Sequence, residues 1–163
     1  MIRVGLGFDV HPFGGNSPLV LGGVTIEGQG LAGHSDADVV AHAVADALLG
    51  PVGLPDLGTL FPASDDRYRG VSSIELLADV AGRVARERWW LGNVDVVIAA
   101  EQPRLSPHVA AMAANVEAAL AELREPMGPG VMVSITPKRG EGLGFVGRAE
   151  GIAAWAVSLL ERG

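Results

Sequence analysis

From Ile2 to His11 the chain alternates without a break. Ile2, Val4, Leu6, Phe8 and Val10 are apolar, and Arg3, Gly5, Gly7, Asp9 and His11 take the positions between. A strand turns successive side chains to opposite faces, so this pattern commits the segment to a β-sheet with one apolar face. Asp9 and His11 then point the same way, and the glycines before them leave room for something to approach. A carboxylate and an imidazole on one face are two of the three protein ligands of an open metal site. The same pair also suits a polar strand end near solvent, and the strand alone does not decide between the two.

The 163 residues are enough for one domain with its own core, and 48% are apolar, which argues against disorder. With no cysteine, disulfides and thiolate ligands are excluded, so any metal must use carboxylates and His11, His34, His42 or His108. A formal charge of −7 argues against nucleic-acid partners and against attraction to acidic membranes. A site for an anion would have to be built locally. The first residues lack a signal-peptide pattern, and the apolar run from Ile152 to Leu160 is too short to span a bilayer. The expectation is a cytoplasmic protein with no membrane partner.

Leu19 to Ile26 reads as a hairpin turning at Gly22-Gly23. Ser35 is the expected N-cap of an amphipathic helix running to about Leu49 and stopped by Gly50-Pro51, with Val40, Ala43, Val44, Ala47 and Leu48 inward. Asp38, His42 and Asp46 lie four apart on its other side. Residues 50 to 71 form a long Gly-, Pro- and Asp-rich segment of the kind that serves function. Ser72 or Ser73 opens a second helix with Ile74, Leu77, Ala78, Ala81, Val84 and Ala85 inward, and Asn93 to Ala100 is a strand. Ser106-Pro107 opens a third helix with Val109, Met112, Ala113, Val116 and Leu120 inward. Residues 130 to 136 read as a strand, and a last helix is expected from about Gly147 to Arg162. Together these predict an α+β two-layer sandwich, a mixed β-sheet with helices on one face.

His42 completes the opening feature if its helix lies over the first strand. Two imidazoles and one carboxylate suit a catalytic divalent metal, zinc first, while a lone histidine on a polar helix face is also at home in solvent. Asp38 and Asp46, a turn to either side, would raise its basicity or orient it. His34-Ser35 sits where a helix is expected to begin, which suits either an anion or a simple cap. Lys138, Arg139 and Glu141 gather charge before a glycine-rich stretch, which suits a phosphate clamp or a charged surface turn.

Gly7-Phe8-Asp9-Val10-His11, His34-Ser35-Asp36-Ala37-Asp38 with His42, Asp46-Ala47-Leu48-Leu49-Gly50, Leu91-Gly92-Asn93-Val94-Asp95, and Glu141-Gly142-Leu143-Gly144-Phe145 with Gly147-Arg148 resemble, in order, the motifs of the 2-C-methyl-D-erythritol 2,4-cyclodiphosphate synthase family. Together they cover nearly the whole chain. The resemblance implies a homotrimer with active sites between neighbouring subunits, acting in the non-mevalonate isoprenoid pathway. The substrate would be the cytidine diphosphate compound 4-diphosphocytidyl-2-C-methyl-D-erythritol 2-phosphate, which cyclises with loss of CMP.

The resemblance further implies zinc on Asp9, His11 and His42, and Glu141 at a second ion, magnesium or manganese, that bridges the diphosphate. His34 and Ser35 would contact the phosphates. Asp56, Leu57 and Gly58 would meet the sugars, and Phe61 to Asp65 would border the erythritol. Ala100 to Ser106, with Arg104 and Leu105, would cup the cytosine, and Lys138 would lie against the substrate. Phe145 and Arg148 would stand near a trimer axis whose apolar channel accepts an isoprenoid diphosphate. His34 and Arg139 are the candidate catalytic residues. Lys138-Arg139-Gly140 departs from the family pattern, where a Thr-Thr pair is common, and Ala63 stands where some members carry an acid. The ligand set alone also admits a generic zinc hydrolase, and the trimer a non-catalytic sensor of isoprenoid diphosphates or nucleotides.

Overall fold

The computed structural model describes residues 1–125, 130 and 132–162. In chain order its elements are β1 (Ile2–Gly15), β2 (Leu19–Leu21), β3 (Val24–Ile26), β4 (Gly30–Leu31), α1 (Val39–Val52), the one-turn α2 (Leu57–Leu60), α3 (Ser73–Arg86), β5 (Trp90–Ala99), α4 (Val109–Ala119), β6 (Met132–Lys138), the one-turn α5 (Gly144–Gly147) and β7 (Gly151–Glu161). Five strands form one mixed sheet in the order β4-β1-β7-β5-β6, with β5 and β6 parallel and the other pairs antiparallel. β2 and β3 make the expected hairpin, and Gly22 and Gly23 take the positive φ values, 54° and 69°, that its turn requires. Among the described residues no helix is long and apolar enough to cross a membrane.

The alternation in β1 is real, but its two faces serve unexpected ends. Gly5, Gly7, Asp9 and His11 lie on the face covered by α1, where the glycines admit a very close approach. A Cβ on Gly7 would collide with the Ala43 carbonyl oxygen, and one on Gly5 with that of Ala47. The apolar set, Ile2, Val4, Leu6, Phe8 and Val10, lies on the opposite face and is exposed in the single chain, Leu6 at 70%. Trp155, Val157 and Met132 are exposed too. The core lies between sheet and helices, with Leu48, Leu77, Val84, Ile98, Met112, Leu120 and Leu160 among its buried side chains.

The expected last helix is instead β7. It pairs with β1 from Ile2↔Glu161 to Pro12↔Gly151 and with β5 on its other edge. Apolar residues fall on both faces of this central strand, so the run from Ile152 to Leu160 lacks the alternation that marks a half-exposed strand. Its three alanines favour a helix locally, and tertiary pairing overrides them.

Helix α1 also differs from expectation. It starts at Val39 rather than after Ser35, because Asp38 is the N-cap and accepts from the Val40 and Ala41 N–H groups. It runs through Gly50-Pro51 to a left-handed Gly53. Pro51 cannot donate to the Ala47 carbonyl, and the buried Ser158 hydroxyl donates there instead, at 2.7 Å. Nor is α1 a surface helix, since Val39, Ala41 and Ala45 are buried along with the expected stripe. In α3, Leu76 and Val80 are buried while Ala78 is exposed. Val131, inside the strand expected over residues 130 to 136, lies outside the described residues, and the strand itself runs Met132–Lys138.

Candidate metal centre and a second cavity

Strand β1 supplies Asp9 and His11, and the close seat of α1 on its glycine face brings His42 over them. His42 Nδ1 lies 2.9 Å from Asp9 Oδ2, and His11 Nε2 lies 3.1 Å from the same oxygen. One ligand atom from each residue falls within 4.8 Å of the others. Burial alone would raise the Asp9 pKa, but His11 and His42, when protonated, donate to its carboxylate and outweigh burial, holding the carboxyl well below its usual range. Contact with Asp9 raises the His11 pKa against the opposing effect of burial. His11 Nδ1 donates to the Ala32 carbonyl oxygen at 2.7 Å, so in the neutral ring Nε2 is the lone-pair nitrogen facing Asp9. Two acceptors aimed at one another need a cation between them, so the donor set fits a divalent metal.

Asp38 and Asp46 do not orient the His42 ring. Both carboxylate oxygens of Asp38 are taken by N–H groups, from Gly22 and Gly23 of the hairpin as well as from α1. Asp46 accepts from the Leu57 N–H at 2.8 Å and so fixes the start of α2, and burial raises its own pKa. His42 Nε2 meets Ser73 Oγ at 2.8 Å and Ser35 Oγ at 3.1 Å. The helix start expected at Ser35 lies later: α1 begins after His34 and Ser35, and the Asp38 side chain accepts from the Val40 and Ala41 N–H groups. His34 Nε2 instead donates to the Asp65 carbonyl oxygen at 3.0 Å.

A cavity of about 270 Å³ opens beside the cluster, and His34, Ser35, Leu57, Gly58 and Phe61 line it together with the three candidate ligands. Asp56 and Asp65 do not line it. Asp56 caps α2 through the Thr59 N–H, and Asp65 pairs with Arg67. A second cavity, of about 550 Å³, is lined by Ala100, Arg104, Leu105, Ser106, Lys138 and Arg139, with Glu101. It shares no lining residue with the first. Arg139 pairs with Glu101 Oε1 at 2.8 Å, and Glu101 Oε2 accepts from the Gly140 N–H. Glu141, Phe145 and Arg148 line neither cavity, and Arg148 pairs with Glu150.

Residues 2–161 match the YgbB family. The chain belongs to the YgbB family. Within it, the chain is 48% identical to a bifunctional enzyme IspD/IspF of Anaeromyxobacter dehalogenans over 99% of its own length and 40% of that protein's. It thus spans well under half of that relative. It is also 48% identical to 2-C-methyl-D-erythritol 2,4-cyclodiphosphate synthase of Bordetella avium, covering 98% of this chain and 96% of that one. Its fold is similar to the CDP complex of IspF from Plasmodium falciparum, with a TM-score of 0.80, 30% identity and coverage of 99% and 96%.

Three residues of this YgbB-family chain escape a reading of the sequence alone. Ser73 is legible only as a helix cap, Asp36 only as one member of the motif around His34, and Glu101 only as a loop acid. Each matters through a partner far away in the chain. Ala37, at φ 58°, supplies the reversal that sends Asp36 toward Ser73 while Asp38 turns toward the hairpin.

Proposed function

We propose that the chain is a 2-C-methyl-D-erythritol 2,4-cyclodiphosphate synthase, built as one domain over residues 1–163 and working as a homotrimer. The observation that carries this reading is the convergence of Asp9, His11 and His42 beside a cavity, in a chain that spans nearly the whole of synthases it resembles. The 2-phosphate oxygen of 4-diphosphocytidyl-2-C-methyl-D-erythritol 2-phosphate attacks the β-phosphorus. The bond to the CMP oxygen breaks, CMP leaves with the electron pair, and an eight-membered cyclic diphosphate forms.

Such a reaction is intramolecular, so the protein's main task is to fold the substrate back on itself and balance its charge. Asp9, His11 and His42 would hold zinc, and Glu141 would contribute to a magnesium or manganese site. These ions, when bound, supply Lewis-acid charge neutralisation at phosphoryl oxygens. Leu57 and Phe61 give the metal-side cavity an apolar wall. Arg104, Lys138 and Arg139 concentrate positive charge around the second cavity, in a protein that is acidic overall. That supports placing the cytidine end there, in line with the CDP held by the Plasmodium falciparum relative.

Two cavities without a shared residue support a site whose halves come from different chains. The exposed apolar face of the sheet offers the surface through which copies would meet. Arg148 is engaged by Glu150 within the chain, so an isoprenoid diphosphate in an axial channel would have to displace that pair. Phosphorus-31 NMR of the purified protein with substrate, zinc and magnesium tests the reaction. Cyclic diphosphate and an equal amount of CMP are expected, whereas linear phosphate products alone would identify a hydrolase and no turnover a binding protein.

A further inference from the structure

Helix α3 delivers a side chain to the metal cluster from outside the ligand set. Ser73, its first residue, is buried, and its Oγ stands 2.8 Å from His42 Nε2. The hydroxyl donates to Asp36 Oδ1, and the Ser73 backbone N–H donates to Asp36 Oδ2 at 3.1 Å. An ionised carboxylate only accepts, so the one hydroxyl hydrogen of Ser73 is committed to Asp36. Ser73 Oγ can then only accept from the imidazole. The proton of a neutral His42 therefore sits on Nε2, and the lone pair on Nδ1 faces Asp9 Oδ2 at 2.9 Å. Ser35 Oγ, 3.1 Å from both His42 Nε2 and Ser73 Oγ, closes the network.

We propose that Asp36 and Ser73 are positioning residues that act through His42, holding its imidazole in the Nε2–H form with Nδ1 aimed into the Asp9–His11 cluster. The inference rests on the reading of that cluster as a metal site. The two histidines present opposite nitrogens, His11 through the Ala32 carbonyl and His42 through Ser73. An error of tautomer at either one removes a ligand without moving a backbone atom. Such partners of a metal-binding imidazole commonly change affinity about 10–100-fold.

Asp36→Asn is the discriminating variant because it is nearly isosteric. Its amide can donate to Ser73 Oγ, which frees the hydroxyl hydrogen for His42 Nε2 and favours the wrong tautomer. Zinc affinity of the purified protein is measured by competition with a chelator, and the imidazole nitrogens of the metal-free protein are read by nitrogen-15 NMR. Asp36→Asn and Ser73→Ala are expected to bind zinc about 10–100-fold more weakly than the unmodified chain. In Asp36→Asn the His42 proton is expected to shift from Nε2 toward Nδ1, a signature that a merely structural role would not produce. Equal zinc affinity in Asp36→Asn, or a His42 proton on Nδ1 in the unmodified chain, overturns the inference while leaving the metal site standing. An unmodified chain that binds no zinc overturns both.

Discussion

Both imidazoles of the cluster converge on one oxygen, Asp9 Oδ2, so this carboxylate is the point on which the site's charge balance turns. Asp9, His11 and His42 were legible in the sequence because two lie on one alternating strand and all three fall within quotable motifs. Ser73 and Asp36 were not, because their pairing depends on where α3 begins in space. The structure ties Arg139 to Glu101 at the second cavity. The Arg139 side chain is 66% exposed, so the loss of this pair should change stability little. Arg139→Ala is expected to lower kcat much more than it raises KM. Steady-state CMP release measures both constants, and an unchanged kcat would assign Arg139 to solvent and Glu101 alone.

At the scale of elements, the site exists because α1 can lie almost on the backbone of β1. Gly7 makes that possible, for a methyl group there would press on the Ala43 carbonyl, one residue after His42. Gly7→Ala should therefore cost about 1–3 kcal/mol by overpacking and lower the melting temperature by roughly 2–12 °C. It should also weaken zinc binding, because α1 can relieve the clash only by carrying His42 away from Asp9. A calorimetric scan and a zinc titration on the same sample check this, and full zinc affinity in a destabilised variant would separate the packing from the site. Glycine spacing was readable in the sequence as room for an approach, but not as room for a helix. β7 differs from the helix its sequence suggests for another reason. This central strand carries apolar residues on both faces, one packed under the helices and one open in the single chain, and only its partners β1 and β5 distinguish it from a buried helix. Helix α1 began later than the serine suggested because Asp38 has two jobs, capping α1 and binding the hairpin turn, and only the second depends on the fold.

At the scale of the whole molecule, the sheet is covered by helices on one face and carries exposed Leu6, Phe8, Trp155 and Val157 on the other. A surface of that kind on a chain of net charge −7 argues for burial against further copies. The two cavities then need not communicate within one chain, since the metal half of one copy can face the nucleotide half of the next. Neither His42→Ala, which removes a metal ligand, nor Glu141→Ala, which lies in sequence beside the Arg139 cavity, should release CMP when purified alone. Co-expressed in equal amounts, the two should assemble mixed trimers in which about one quarter of sites draw both intact halves from different chains. The decisive measurement is formation of cyclic diphosphate by that mixture, followed by phosphorus-31 NMR. Recovery to about a quarter of the unmodified rate is the predicted result, and a mixture as inactive as its two parents would contradict a metal-centred site shared between chains.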